Sequence, residues 1–447
     1  MARKIAECPP EILDKICSNL HARQDLSSAR ATCRSLKAAA DRYAFRHIKF
    51  CMHREDFYFL RQIANDHRAL YVQSLTYNSH IMEEFDRSEL AFWENDDQDA
   101  IADTENAVNQ IREGQFMVME MDEDFDFLKD VIPKFPNLRE LVVATVHDEF
   151  FDPDEADNDA WASYGFAYRY LSRQMYGASY HEGTIRHLHA MLEGLRAAGG
   201  SLQRLTSLQV GFLSITSDDG YFRDPDYTTR PWPFDPKFLI KDMLGVQLSY
   251  LTHFGLLLHN GSQFHRPEDR PLIEAAKDHR LTVARDLTTS MPNLQSLTVG
   301  ARNDAEWIYK LIPYHHVWPE LHTIHLINVR FSYEGLLDVL SVHKKTLRTL
   351  IFDTCRLFGA DDAGWGHFVD DLKASFRPFT LHCICFYNEN RYNQNPICQE
   401  PTLQSYLRDT AASGVDSRPR IMVSHTDSDC WPRPEISLKR NSYFPQS

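Results

Sequence analysis

Two closely spaced cysteines are the residues of this chain best suited to metal chemistry. Cys383 and Cys385 alternate along a predicted strand, so both thiols would point to the same side of a sheet. A structural zinc ion needs four ligands, commonly with a Cys-x-x-Cys pair among them, and no such pair accompanies these two residues. The spacing therefore favours chance over a metal site.

The histidine spacings and the lack of catalytic motifs also argue against a metal site or an enzyme. His187 with His189, and the adjacent pair His315 and His316, lack the i, i+4 spacing with which two helical histidines bind zinc. No Gly-x-Ser-x-Gly elbow, phosphate-binding loop or Gly-x-Gly-x-x-Gly fingerprint occurs. A hydrolase or other enzyme would have to assemble its groups from distant positions. We therefore expect a protein that is not an enzyme and has no metal or other cofactor.

The composition predicts a folded intracellular protein. The chain has 447 residues, of which 43% are hydrophobic, enough for two or three domains or for one extended repeat array. No apolar run reaches the roughly 18 residues of a membrane helix. The basic N-terminus is followed by Pro9 and Pro10 rather than by the apolar core of a signal peptide. The nine cysteines do not imply a disulfide framework. Together with the lack of an apolar span and of a signal-peptide core, this leads us to expect a cytoplasmic or nuclear location and no membrane partner.

The net charge of −15 is concentrated in two segments. Residues 83–130 contain 17 acidic and three basic residues, and residues 148–159 contain seven acidic residues without Lys or Arg. Phosphates would be repelled here, so nucleic acid is not an expected partner. A basic protein surface would be attracted. The alternative is a solvated insertion without a partner.

The elements that organise the chain begin with a predicted helical module at the N-terminus. Pro9 and Pro10 suit a helix start, and Glu11 places negative charge in the first turn. The apolar residues that follow share one face by their spacing; they are Ile12, Leu13, Ile16 and Leu20. Asp25 is the predicted N-cap of a second helix. Its apolar stripe comprises Leu26, Ala29, Cys33, Leu36 and Ala40.

These residues resemble the F-box. The positions that match its pattern are Pro9, Glu11, Ile12, Ile16, Leu20, Asp25, Leu26, Cys33 and Arg34. Cys8 and Leu36 depart from it, since the family usually has Leu and often has Trp at these two places. The alternative is an ordinary N-terminal helical hairpin that packs on its own domain.

A six-residue pattern, apolar-x-x-apolar-x-apolar, recurs along the rest of the chain and predicts short buried strands. Its nine copies begin at Phe45, Val72, Leu138, Leu205, Leu251, Leu294, Leu321, Leu347 and Leu381. Intervals of 26 and 27 residues match the leucine-rich-repeat period of about 20–29. Helical partners are predicted at 185–195 and 334–343. A compact α/β domain is the alternative to a degenerate solenoid.

The predicted fold is therefore α/β, with F-box helices followed by an irregular leucine-rich-repeat solenoid that carries helical and acidic insertions. Residues 1–48 form the helical module, and residues 49–387 form the solenoid. An acidic insertion lies at about 83–130 and a helical insertion at about 146–200. Residues 388–447 are the predicted C-terminal cap and tail. This layout resembles the leucine-rich regions that follow F-boxes in many fungal and plant proteins.

Two surfaces are candidates for binding. The resemblance implies that a Skp-family adaptor, and through it a cullin scaffold, binds the helices through Pro9, Ile12, Leu13, Ile16, Leu20 and Leu26. The second surface is the solenoid face formed by strand residues between the buried ones, and it would hold a protein substrate. Its candidates are Thr298, Thr323, His325, Thr349, Ile351, Asp353 and Tyr387.

The resemblance thus implies a substrate-recognition subunit of an SCF-type ubiquitin ligase. The alternative function is a leucine-rich scaffold or protein-binding module without a ligase role, whose N-terminal helices cap the solenoid.

Overall fold

The structure is a computed structural model with two compact units. It describes residues 5, 7–20, 23–82, 98–144, 180–182, 184–199, 204–214, 248–259, 278, 281–282, 284–286, 288–305, 312, 315–353, 355–358, 368, 371–372, 383–387 and 420–424. Within these ranges, the first unit comprises the residues up to Gly211, and the second unit comprises the residues from Phe212 onwards. No helix in these ranges is both long and apolar enough to cross a membrane.

The first unit combines helices with a parallel sheet. Its helices are α1 (Pro10–Ser18), α2 (Arg23–Thr32), α3 (Arg34–Ala44), α4 (Arg54–Ala64), α5 (Gln98–Glu120), α6 (Glu123–Val131) and α7 (Thr184–Ala198). Turns of 3₁₀ helix lie at His67–Tyr71 and Ile132–Lys134. Its strands are β1 (His47–Cys51), β2 (Ser74–Asn78), β3 (His80–Met82), β4 (Glu140–Ala144), β5 (Tyr180–Glu182) and β6 (Ser207–Ser214), of which the last three residues of β6 belong to the second unit.

Strands β1, β2, β4 and β6 lie side by side and parallel. Their register aligns the last two apolar positions of each predicted repeat. One row is Ile48, Leu75, Leu141 and Leu208, and the next is Phe50, Tyr77, Val143 and Val210. These side chains are at most 1% exposed. Repeated burial of equivalent positions is what holds the sheet to the core.

The second unit repeats this arrangement. Its elements are β7 (His253–His259), β8 (Ser296–Ala305), β9 (Thr323–Ser332), α8 (Tyr333–Val342), β10 (Thr349–Asp353), β11 (Arg356–Phe358), β12 (Cys383–Tyr387) and β13 (Arg420–Ser424). Strands β7, β8, β9, β10, β12 and β13 follow one another in parallel, and β11 pairs with β9. The apolar rows again align; one contains Phe254, Leu297, Ile324, Leu350 and Ile384.

A repeated backbone ladder precedes the strands in both units. The carbonyl of Arg46 accepts hydrogen bonds from the N–H groups of Gln73 and Ser74. Five further carbonyls each accept two such bonds, donated by backbone N–H groups at the start of the next strand in the sheet. They are the carbonyls of Gln73, Arg139, Thr252, Gln295 and His322. The same two-donor contact therefore links the start of each of these strands to the residue just before the preceding strand.

Asparagine side chains add a second link between successive repeats. Asn137 donates from Nδ2 to the carbonyl of Leu70 at 2.7 Å, and Asn293 donates to the carbonyl of Ser249 at 2.7 Å. Both residues stand in a Pro-Asn-Leu sequence just before a strand. The asparagine therefore satisfies a turn carbonyl that would otherwise need water.

All nine predicted repeat copies contain or lead into a parallel strand, which confirms the predicted strands, and the eight copies from Phe45 to Leu347 are buried at both strand positions. The helices predicted at 185–195 and 334–343 are present as α7 and α8. Strand β13 lies within the segment predicted as cap and tail; its sequence carries Arg418 where the pattern expects an apolar residue, and it was therefore missed. The predicted borders at 48 and 387 differ from the division at Gly211 and stay predictions.

Candidate docking site on the N-terminal helices

Helices α1, α2 and α3 enclose a small hydrophobic core of their own. Its buried members are Leu13, Cys17, Leu26, Ala29, Leu36, Ala39 and Ala40. Ile5, Cys8, Leu20, Cys33 and Tyr43 pack against it and remain partly exposed. Burial raises the pKa of the Cys17 thiol, with a smaller contribution from the charge of Asp14, so this cysteine acts as a small apolar side chain.

Polar contacts fix the three helices to one another. Tyr43 donates its hydroxyl to Asp14 Oδ2 at 3.0 Å, which links α3 to α1. Burial, followed by that contact with Asp14, raises the pKa of Tyr43. Arg30 Nε donates to Asp41 Oδ1 at 2.6 Å, and both side chains are largely buried, so α2 and α3 are joined by a well-formed ion pair.

Helix α1 presents two apolar stripes rather than one. Leu13 and Cys17 face inward at 2% and 0% exposure. Ile12 and Ile16, one residue earlier in each case, are 51% and 43% exposed. Successive helical residues differ by about 100° in direction, so a shift of one residue moves a side chain from the core to the surface.

This division corrects the predicted docking surface. Leu13 and Leu26 are only 2% and 1% exposed, so they hold the helices together and offer no surface to a partner. Pro9 is exposed beside Ile12 and Ile16, at spacings of three and four residues. Leu20 is half-buried against the core. The accessible candidates are therefore Pro9, Ile12 and Ile16, with exposed Glu11 and Lys15 next to them.

The predicted second helix is in fact two helices. Cys33 is extended, with φ −160° and ψ 163°, and separates α2 from α3. Asp25 lies in the first turn of α2 rather than at its N-cap. Leu26, Ala29, Leu36 and Ala40 are nevertheless all buried in one cluster. The apolar residues on both sides of Cys33 reach the same cluster, because α3 folds back onto the core that α2 also covers.

Cys17 and Ala39 are the two buried core residues that the predicted apolar stripes do not include. Leu13, Cys17 and Leu20 follow at spacings of four and three, as an inward stripe requires. Including Cys17 in the first stripe, as Cys33 is included in the second, separates this stripe from that of Pro9, Ile12 and Ile16.

The predicted substrate-binding residues come together in register on the second sheet. Thr298 lies beside His325, which lies beside Ile351, while Thr323 pairs with Thr349 and Asp353 with Tyr387. His325 and Ile351 are only 7% and 4% exposed, so neither offers a contact surface, contrary to expectation. Burial lowers the pKa of His325 to about 4. The threonines at 298, 323 and 349 are half-buried.

The residues considered above as metal ligands include one histidine in the core and two cysteines on a strand. His187 is fully buried and packs edge-on against Tyr77, with ring centroids 4.4 Å apart. Cys383 and Cys385 lie on β12 between β10 and β13. Throughout the part of the chain that the structure describes, no three His, Cys, Asp or Glu side chains are grouped so as to hold a metal ion.

Comparison with known proteins identifies the helical module. A family model described as F-box-like matches residues 5–51, which include α1, α2, α3 and β1. No curated protein matches the chain. The match supports an F-box protein, and F-box domains typically bind Skp-family adaptors. It suggests, in general terms, an adaptor role in an SCF-type ubiquitin ligase.

Proposed function

We propose that this protein is the substrate-recognition subunit of a cullin-RING ligase of the SCF type, acting in the cytoplasm or nucleus. Its F-box-like helices dock a Skp-family adaptor, and through it a cullin, while the repeat region presents a protein substrate. The observation that carries the proposal is the exposed stripe of Pro9, Ile12 and Ile16 on a domain that matches the F-box.

The energetics suit a docking surface. Full burial of an isoleucine side chain contributes about 1.5–3 kcal/mol, and Ile12 and Ile16 each still have roughly half of that burial to gain. Their neighbours on the same helix face are polar, which gives an apolar centre with a charged rim. The core beneath them is closed by Leu13 and Cys17, so the stripe is presented on a preformed helix.

Such a subunit works by placement and not by bond chemistry. We propose that it is not an enzyme and that it raises the effective concentration of a substrate near the ligase. The in-register apolar rows, the repeated carbonyl ladder and the asparagine links support a leucine-rich-repeat-like solenoid in the repeat region. On its sheet, the half-buried threonines at 298, 323 and 349 are the candidate substrate-binding residues, together with Asp353 and Tyr387, which pair in register on β10 and β12.

Co-purification with a Skp-family adaptor tests the docking surface. The variant Ile12→Asp with Ile16→Asp places two charges on the stripe and should abolish recovery of the adaptor. Ala38→Asp, at an exposed position on α3, is the matched control and should recover it fully. Both proteins should melt close to the wild-type temperature, because none of the changed side chains lies in the core and aspartate in place of an exposed helical alanine costs less than about 1 kcal/mol. Equal adaptor recovery by the double variant would remove the proposal.

The alternative, a scaffold without a ligase role, has one observation in its favour. Phe45 is fully buried at the first repeat position, and the guanidinium groups of Arg30 and Arg68 lie 4.9 and 5.0 Å from its ring centroid. The N-terminal helices are therefore tied to the first strand, as a cap would be. In this case removal of residues 1–44 makes the remainder insoluble, and no Skp-family adaptor binds the intact chain.

A further inference from the structure

Helix α5 has a second apolar face, and the side chains that the structure describes on it are exposed. Its inward face is closed, with Val108, Ile111, Gln115 and Val118 all at most 3% exposed. Its outward face carries large apolar side chains: Phe116 is 58% exposed, Met117 is 42% exposed, and Met121, just beyond the last turn, is 63% exposed. An outward face of this kind is normally polar. We call these three residues the α5 patch.

Specific contacts hold α5 in this orientation. The Gln115 side chain is fully buried and accepts a hydrogen bond from the backbone N–H of Met82 at 2.8 Å. One residue earlier, Gly114 lies so close to His53 that a Cβ would be 2.7 Å from its Nε2. The helix cannot rotate without breaking both contacts, so exposure of the patch is a fixed property of the fold.

The turn after α5 is fixed by a buried ion pair. Asp122 has a positive φ of 52° and reverses the chain into α6. Arg186 on α7 is 2% exposed and donates to both carboxylate oxygens of Asp124, at 3.0 and 2.6 Å. It also donates to Asp122 at 2.9 Å. Two helices thereby anchor the turn that carries Met121.

The surroundings of the patch are acidic. Glu113 and Glu120 alternate with the patch along the same face, and Asp126 is exposed on α6. Within the described part of the chain, none of these three carboxylates forms an ion pair. Arg112 is an exposed cation on the same helix. Other nearby cations are already paired: Arg54 with Glu123, and both Arg61 and Lys134 with Asp130. The local field is therefore negative.

We propose that the α5 patch binds a basic amphipathic helical segment of a partner protein. Its apolar residues would cover Phe116, Met117 and Met121, and its lysines or arginines would face Glu113 and Glu120. Methionine side chains adapt to varied apolar partners, and acidic rims favour basic helices over acidic ones. Anionic lipids and nucleic acid are repelled by the same carboxylates.

This inference stands apart from the proposed adaptor docking, because it involves α5 and not α1. Substitutions in the patch leave Pro9, Ile12 and Ile16 unchanged, so recovery of a Skp-family adaptor serves as an independent readout. A patch variant that loses peptide binding and keeps the adaptor separates the two surfaces.

The test uses the full chain and a fluorescent synthetic peptide of about 18 residues, built from leucine and lysine with the leucines on one helical face. A scrambled peptide of equal composition and a leucine–glutamate peptide are the comparisons. The key protein variant is Phe116→Ser with Met117→Ser and Met121→Ser. The second is Glu113→Lys with Glu120→Lys. Leu70→Ser, at a side chain 55% exposed elsewhere in the first unit, is the matched control.

We expect the amphipathic basic peptide to bind the intact chain and the Leu70→Ser variant equally, as measured by fluorescence anisotropy. The triple serine variant and the double lysine variant should each weaken binding at least about tenfold. Raising the salt from about 50 to about 300 mM should weaken it several-fold, because exposed charges are screened.

Three results would overturn the inference. One is equal peptide affinity for the intact chain and the triple serine variant. Another is equal affinity for the scrambled peptide. The third is a dimer, detected by light scattering, that the triple serine variant converts to a monomer, since the patch would then be covered by a second copy of this chain.

Discussion

Ile12 and Leu13 are neighbours in sequence but should respond oppositely to truncation. Leu13 is 2% exposed, and Leu13→Ala removes about three methylene equivalents from the core of the helical module. At about 0.8 kcal/mol each, the transfer cost is roughly 2.4 kcal/mol, and the cavity left behind brings the total to about 3 kcal/mol. This corresponds to a roughly hundredfold larger opening constant for α1, α2 and α3.

Ile12→Ala should change that opening constant by no more than about twofold, towards a smaller value. The side chain is 51% exposed and leaves no cavity, and alanine is the better helix former by about 0.4 kcal/mol. Its effect should fall on adaptor binding instead, because Ile12 lies on the outward stripe. The two variants therefore separate stability from docking at adjacent positions.

Amide hydrogen exchange followed by mass spectrometry measures the opening constant directly. Peptides covering residues 10–44 should exchange about a hundredfold faster in Leu13→Ala and within about twofold of the wild-type rate in Ile12→Ala. Adaptor co-purification on the same samples completes the comparison. Equal exchange in both variants, or destabilisation by Ile12→Ala alone, would refute the assignment of inward and outward stripes.

Three further predictions concern buried groups. His343 is 1% exposed, neither of its ring nitrogens has a hydrogen-bond partner within the described residues, and burial lowers the pKa of its imidazole to about 4. Its neutral form is favoured on folding, so the second unit should lose stability as the pH falls from about 6.5 to about 4, and His343→Leu should reduce that loss in urea titrations. Arg186→Met leaves the Asp124 carboxylate buried without its cation and should lower the free energy of unfolding by about 3–5 kcal/mol in urea titrations. Gly300→Ala would place a Cβ 2.7 Å from that of Ile327 and should cost about 1–3 kcal/mol in the same assay.

Matched controls distinguish these effects from general damage. His315→Leu, at an exposed position, controls for the replacement of a histidine by leucine as such. Asp126→Asn neutralises an exposed carboxylate on α6 without uncovering a buried charge. Thr298→Ala alters a half-buried residue of the same strand as Gly300. An acid response of His343→Leu equal to that of wild type would contradict the first prediction. Unchanged urea midpoints in Arg186→Met or Gly300→Ala would contradict the others.

The strands could be read from local sequence because each repeat carries its own apolar pattern. Ile48 and Phe50, like Ile324 and Leu326, alternate at the period of a strand, and the eight copies from Phe45 to Leu347 all bury these positions. The asparagine links could also have been anticipated, since Pro-Asn-Leu occurs before both β4 and β8. The helix break at Cys33 had no such signal, because the apolar spacing continues through it.

The amino-acid sequence alone determined which segments bury apolar residues, that they recur as strands, and that the first helices resemble an F-box. Those features follow from periodicity, which is local. Only the tertiary structure decided that Leu13 faces a core and Ile12 faces solvent, that His325 and Ile351 are covered, and that Phe116 is not. The physical reason is that periodicity names the apolar face of an element, whereas burial depends on which distant elements pack against it.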